Sequence, residues 1–154
     1  MVYQASTIAD WFLSDAAADG EDDDDMTNMK LQKLLYYAQG HWLADHDEPL
    51  FSDTIKAWMH GPVVPTVWHK YKESGSNILP IPGEDEFSED DVTPEVNDFL
   101  TQVWDYYGGY SAAGLRTLTH REDPWKDAWN THDDSPSISI EAMKKWFSKH
   151  PMRV

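Results

Sequence analysis

At 154 residues the chain has the length of one domain, enough to bury a hydrophobic core without staples. It has no cysteine, which excludes disulfides and thiolate chemistry, and no apolar run fit for a membrane span or signal peptide, so a soluble cytoplasmic protein without a membrane partner is expected. Twelve Lys and Arg against 28 Asp and Glu give a net charge of −16, which opposes direct binding to nucleic acid, while 40% hydrophobic and 13% aromatic residues argue for a packed chain rather than a disordered one.

The elements follow from periodicity. Ile8, Trp11 and Phe12 keep helical spacing, with Thr7 and Asp10 resembling a capping box at their start. An acidic loop follows, six acids in the seven residues Asp19–Asp25. Thr27 is the expected N-cap of a longer helix carrying Leu31, Leu34, Leu35, Ala38 and Trp42. Ile55, Ala57 and Met59 then alternate with Lys56, Trp58 and His60, the period of a short strand. Pro62 and Pro65 are expected to stop any ladder, and Pro65 to open a helix containing Val67, Trp68 and Tyr71. A second acidic loop, six acids in the eight residues Glu84–Asp91, leads to Thr93 as N-cap and Pro94 at the first helical position. That helix carries Val96, Phe99, Leu100, Val103, Trp104 and Tyr107 and should end at Gly108-Gly109. Leu115 and Leu118 suggest a short helix, and Ile140, Met143 and Phe147, capped by Ser139, a last one within a C-terminal helix and tail over 138–154. The expectation is a mainly α fold: a single compact helical domain over 1–154, with a minor extended element around residues 50–60 and mobile acidic loops at 19–25 and 84–91.

The search for reactive constellations returns little. Placing Gly20 at position 6 of an EF-hand puts Ala17 and Met26 at ligand positions, so the acidic loop fails that pattern. The seven histidines form no His-Glu-x-x-His pair or cluster, and there is no nucleophile elbow, phosphate loop or dinucleotide fingerprint. No metal, cofactor or catalytic residue is therefore expected; a hydrolase built on His60 or His120 is the weaker enzymatic alternative. The run Ala57-Trp58-Met59-His60-Gly61-Pro62-Val63-Val64-Pro65 reads as a rigid corner, in which His60 is more readily a structural hydrogen-bonding residue than a ligand or switch.

Three segments, taken in order, carry a resemblance. These are Lys30-Leu31-Gln32-Lys33-Leu34-Leu35-Tyr36-Tyr37-Ala38-Gln39-Gly40, the Trp58–Pro65 corner with Tyr71 and Lys72 beyond it, and Leu118-Thr119-His120 followed by Pro124-Trp125. Together they resemble the Panacea domain, the family of SocA-like and GepA-like antitoxins often found in prophages. The resemblance implies an antitoxin that neutralises a cognate protein toxin, encoded by the adjacent gene, through direct protein–protein binding. It also implies that Leu31, Leu34, Leu35, Gly61, Pro62, Thr119, His120, Pro124 and Trp125 build the scaffold. Tyr37, Trp58, His60 and Tyr71 are then the motif residues to test for surface exposure. Asp22, Asp23, Asp24 and Asp25 stand outside the motif, as partner contacts or as a solvated loop. The competing reading is an acidic DNA mimic that occupies a nucleic-acid-binding partner, which needs carboxylates spaced along an ordered surface. Self-association is left open, since no heptad stripe is long enough to establish it.

Overall fold

The computed structural model describes residues 2–18 and 26–152. The acidic run Asp19–Asp25, with Asp22, Asp23, Asp24 and Asp25, lies outside the described residues. The first helix, α1 (Ala5–Ala18), begins before the expected box at Thr7 and Asp10. Its cap comes from elsewhere in the chain: the Ala5 N–H donates to Asp53 Oδ1 at 2.8 Å, and Asp53 Oδ2 also accepts from the Thr66 hydroxyl at 2.5 Å. A carboxylate 48 residues downstream replaces the local box, which is why spacing alone misplaces this start.

Helix α2 (Asn28–His46) is the axis of the molecule. Thr27 caps it by accepting from the Lys30 N–H, and Asp47 ends it in the left-handed region at φ 58°. Fifteen of its 19 residues are buried, so it has no solvent face over most of its length. Its polar side chains hydrogen-bond to the backbone of neighbouring segments. Gln39 Oε1 accepts from the N–H groups of Leu50 (2.8 Å) and Phe51 (3.2 Å), and its Nε2 donates to the Phe51 carbonyl at 2.9 Å. Gln32 Oε1 accepts from the Val64 N–H at 2.8 Å, and Asn28 donates to the Trp68 carbonyl at 3.1 Å.

Strands β1 (Lys56–Trp58) and β2 (Gly61–Val63) form an antiparallel hairpin in which Ala57 faces Pro62. Pro62 therefore sits inside a ladder that it was expected to stop. The reason is directional. Ala57 turns its N–H away from β2, to the Pro136 carbonyl at 2.9 Å, so the bond a proline cannot make is not called for here. Neither turn residue, Met59 nor His60, has positive φ; Gly61 takes the reversal at φ 115°.

Helix α3 (Pro65–Tyr71) opens on Pro65 as the sequence indicates. The 84–91 acidic segment is not structureless: Glu89–Asp91 form a 3₁₀ turn, with Ser88 and Asp91 exchanging side-chain-to-backbone bonds. Helix α4 (Pro94–Tyr107) is capped by Thr93, α5 (Ala112–His120) by Ser111, and α7 (Ile140–Lys149) by Ser139. Between α5 and α7 lies α6 (Asp123–Trp129), which the sequence does not announce because it spans only two turns, with Pro124 in the first. The described residues thus form seven helices and one two-stranded sheet, a mainly α architecture. Phe12, Leu31, Leu34, Leu35, Leu100, Val103, Leu115 and Phe147 belong to one buried cluster around α2. Gly40 sets the spacing of α7: a Cβ there would lie 2.1 Å from the Phe147 ring. No helix among the described residues is long and apolar enough to cross a membrane.

Candidate partner-binding site

The three motif segments meet at the hairpin. Lys33, on α2, sends its Nζ to the Pro62 carbonyl at 3.0 Å. Gly61 closes over that side chain; a Cβ would sit 2.6 Å from Lys33 Cε and 3.0 Å from the Thr119 hydroxyl. From the other side Trp125 donates its indole N–H to the Trp58 carbonyl at 2.8 Å. The His120 ring stacks on Trp125 with centroids 4.0 Å apart, and Trp129 stacks beyond at 5.4 Å. Trp58 meets Trp68 of α3 edge to face at 5.2 Å. The hairpin is thus clamped between α2 and the α5–α6 corner, and its turn projects outward, with Met59 60% exposed; Trp129, at the end of α6, is 38% exposed.

The electrostatics of this corner are one-sided. Burial, and then the Arg116 guanidinium, bring the Lys33 ammonium down from 10.5 to about 7. Burial also lowers His120, followed by Arg116 and Lys33. Arg116 Nε donates to His60 Nδ1 at 3.1 Å.

A second polar group lies behind α2. Tyr36 and Tyr37 donate to the two oxygens of Glu122, each at 2.9 Å, and His41 Nε2 shares a 2.7 Å hydrogen bond with the Tyr107 hydroxyl. Burial raises Glu122 from 4.5 to about 7, partly opposed by the two tyrosine hydrogen bonds. Burial likewise drives His41 down to about 4 and pushes Tyr36, Tyr37 and Tyr107 upward, with the Glu122 charge adding to each tyrosine. A cleft of about 500 Å³ opens over Glu122 and Tyr107, walled by Tyr106, Tyr110, Arg121 and Trp146. Among the described residues no group of three or more His, Asp or Glu side chains is placed to hold a metal ion.

The residues singled out from sequence fall into two sets. Trp58 is half-buried and His60 is exposed, both at the hairpin turn. Tyr37 and Tyr71 do not offer surface: Tyr37 is 0% exposed, stacked 3.9 Å from Tyr107, and Tyr71 is 8% exposed. The physical reason for Tyr37 is its acceptor, since Glu122 lies inside the protein and draws the hydroxyl inward. Tyr71, raised to about 12 chiefly by burial, is hydrogen-bonded to Asp10 of α1. Leu31, Leu34 and Leu35 are fully buried, Gly61 and Pro62 form β2, and Thr119, Pro124 and Trp125 are buried beneath the hairpin, with His120 partly so. Sequence reasoning missed Lys33, Arg116 and Glu122. For Lys33 a signal existed, because a lysine between apolar residues on every face of one helix must be enclosed. Arg116 and Glu122 carry no such mark.

Residues 31–126, well over half of the chain, match the family described as antitoxin SocA-like, Panacea domain. The chain belongs to this family. The matched span of the Panacea domain takes in most of α2, the hairpin, α5 and the first half of α6, and leaves α1 and α7 outside. Over 75 residues the chain is 39% identical to Antitoxin SocA of Caulobacter vibrioides (strain NA1000 / CB15N), a stretch covering 49% of this chain and 38% of that relative's length. No solved structure matches the chain.

Proposed function

We propose that this Panacea domain is an antitoxin that neutralises a protein toxin by binding it directly, with the hairpin corner as its contact face. The whole chain then acts as one cytoplasmic binding domain, with no catalytic step of its own. The observation that carries the reading is the construction of the corner. Buried motif residues hold Trp58, Met59, His60 and Trp129 in fixed positions at the surface, a pre-ordered aromatic and methionine patch of the kind that anchors protein interfaces. The family's name supplies the partner class. The net charge of −16 favours a basic toxin, which it would steer during encounter.

The test pairs this chain with the product of the adjacent gene. Expression of that gene alone should arrest growth, co-expression should restore it, and the two proteins should co-purify in high salt. Rescue without a complex would refute direct binding and favour catalysis or delivery to a protease. A complex that dissolves as salt is raised would favour the DNA-mimic alternative, since an aromatic-centred interface is screened far less.

A further inference from the structure

The hairpin corner gathers basic side chains on a strongly negative chain. Only 12 of its residues are Lys or Arg against 28 acids, yet Lys33, Arg116 and His120 converge with His60 at the Met59-His60 turn. They come from α2, α5 and the hairpin, three elements brought together by the fold. Among the described residues no carboxylate forms an ion pair with them. The charged neighbours that act on Lys33 and His120 are Arg116, Lys33 and His60, all of one sign. Ion pairs such as His46 with Glu95, Lys126 with Asp123 and Lys144 with Asp47 lie away from this corner.

The hydrogen bonds leave capacity unused. Lys33 has three donors and gives one, to the Pro62 carbonyl; Arg116 gives its Nε to His60. His120 is hydrogen-bonded to the Met59 backbone, but its Nε2 is buried with no hydrogen-bond partner. Buried polar atoms are nearly always paired, so the enclosed Lys33, with donors to spare, and the unpartnered His120 Nε2 leave the corner incomplete. A planar oxyanion would complete them. Arg116 offers a carboxylate its terminal N–H donors, His60 can donate from Nε2 while its Nδ1 still accepts from Arg116, and His120 Nε2 becomes a donor when it carries a proton.

We propose that the corner is a carboxylate-binding site, in which an Asp or Glu side chain of the bound toxin seats against Arg116 and His60 with His120 and Lys33 behind them. The inference rests on the antitoxin reading and names a recognition element within it. The apolar surroundings decide the source of the anion. Trp58 and Met59 directly precede His60 in the hairpin and Trp125 stacks on His120, which suits one acidic side chain set among apolar neighbours. A nucleic-acid backbone would instead bring a row of phosphates against a chain of net charge −16.

Two measurements test this, and they fail independently. Affinity for the toxin identified by growth rescue is measured by calorimetry for the wild type, Arg116→Gln, His60→Gln, Lys33→Met and, as a remote control, Lys145→Gln, each checked for folding by circular dichroism. Arg116→Gln should weaken binding about 30-fold or more, as removal of one partner from an enclosed charge pair does, and Lys145→Gln should leave it within about twofold. Separately, acetate is titrated into the free wild-type chain while the His60 and His120 ring nitrogens are followed by NMR. Saturable shifts at both rings, abolished in Arg116→Gln, are expected.

Wild-type affinity in the Arg116, His60 and Lys33 variants, with growth rescue intact, would overturn the carboxylate site and leave the antitoxin reading standing. A wild-type chain that binds no toxin would overturn the reading instead, and the acetate titration then decides alone whether the corner takes an anion. Inorganic phosphate binding more than about tenfold tighter than acetate would overturn the carboxylate assignment in favour of a phosphoryl ligand.

Discussion

Replacing Glu122 by glutamine alters the pH dependence of folding in a way that the structure specifies. In the folded chain the carboxyl group is 8% exposed and accepts from Tyr36 and Tyr37, and burial raises it from 4.5 to about 7. Below pH 4.5 both folded and unfolded chains hold the proton, and burial exacts no charge penalty. Between 4.5 and about 7 the folded chain keeps a proton that the unfolded chain has released, so stability is lost as pH rises; above about 7 the loss is complete. At 1.36 kcal/mol per pH unit that loss is ~3 kcal/mol. Glutamine cannot ionise, so the stability of Glu122→Gln relative to wild type should improve by ~3 kcal/mol from pH 4.5 to pH 8. The comparison cancels the opposite slope contributed by His41, which burial lowers to about 4. Urea unfolding followed by tryptophan fluorescence at several pH values measures it. A stability difference between the two chains that does not change with pH would refute a raised Glu122, and with it the enclosed Tyr–Glu–Tyr arrangement.

Gly40→Ala places a methyl 2.1 Å from the Phe147 ring, so α7 must move off α2; thermal unfolding should report a loss of about 1–3 kcal/mol, partly recovered in Gly40→Ala/Phe147→Leu. Lys33 is lowered to about 7 by burial and Arg116, with His120 also close, so wild-type stability should rise with pH from about 7 towards 10.5, and this rise should vanish in Lys33→Met. Denaturant titrations up to about pH 9 test this before the tyrosines of the unfolded chain ionise. Trp125→Phe keeps a ring against His120 but loses the 2.8 Å bond to the Trp58 carbonyl. It should cost ~1 kcal/mol and speed amide exchange in the hairpin more than in α2.

What could be read from the sequence is what short-range chemistry controls. Thr27, Thr93, Ser111 and Ser139 each cap the helix that follows, and the expectation at Thr27, Thr93 and Ser139 needed only the residue and the apolar spacing behind it. Family membership was legible for the same reason, since the motif segments are local strings. The start of α1 was not, because its cap, Asp53, is 48 residues away. Pro62 was read by its missing N–H alone, whereas the structure shows that the direction of Ala57 decides whether that N–H is wanted. The candidate site was half legible. Trp58 and His60 stood out by type, but Arg116 and Lys33 acquire their meaning only when α5 and α2 meet the hairpin.

The three motif segments are better understood as parts of one joint than as three sites. Lys33 holds Pro62, Gly61 makes room for Lys33 and Thr119, and Trp125 holds Trp58. Changing any one of these leaves the others without their partner, which ties residues of α2, the hairpin and the α5–α6 corner into a single requirement. Met59 is different: 60% exposed at the turn, it is held by the joint without contributing to it. Stability and recognition should therefore separate within three residues of chain. Gly61→Ala forces a side chain into φ 115° and against Lys33 Cε at 2.6 Å. It should lower both folding stability, by about 2 kcal/mol or more, and toxin binding. Met59→Ala should leave the unfolding midpoint unchanged within ~0.5 kcal/mol while weakening the toxin complex. Paired denaturation and binding measurements on the two variants decide the matter. If Met59→Ala binds as the wild type does while Gly61→Ala loses binding only in proportion to its unfolded fraction, the corner is scaffold alone and the toxin is met by another face.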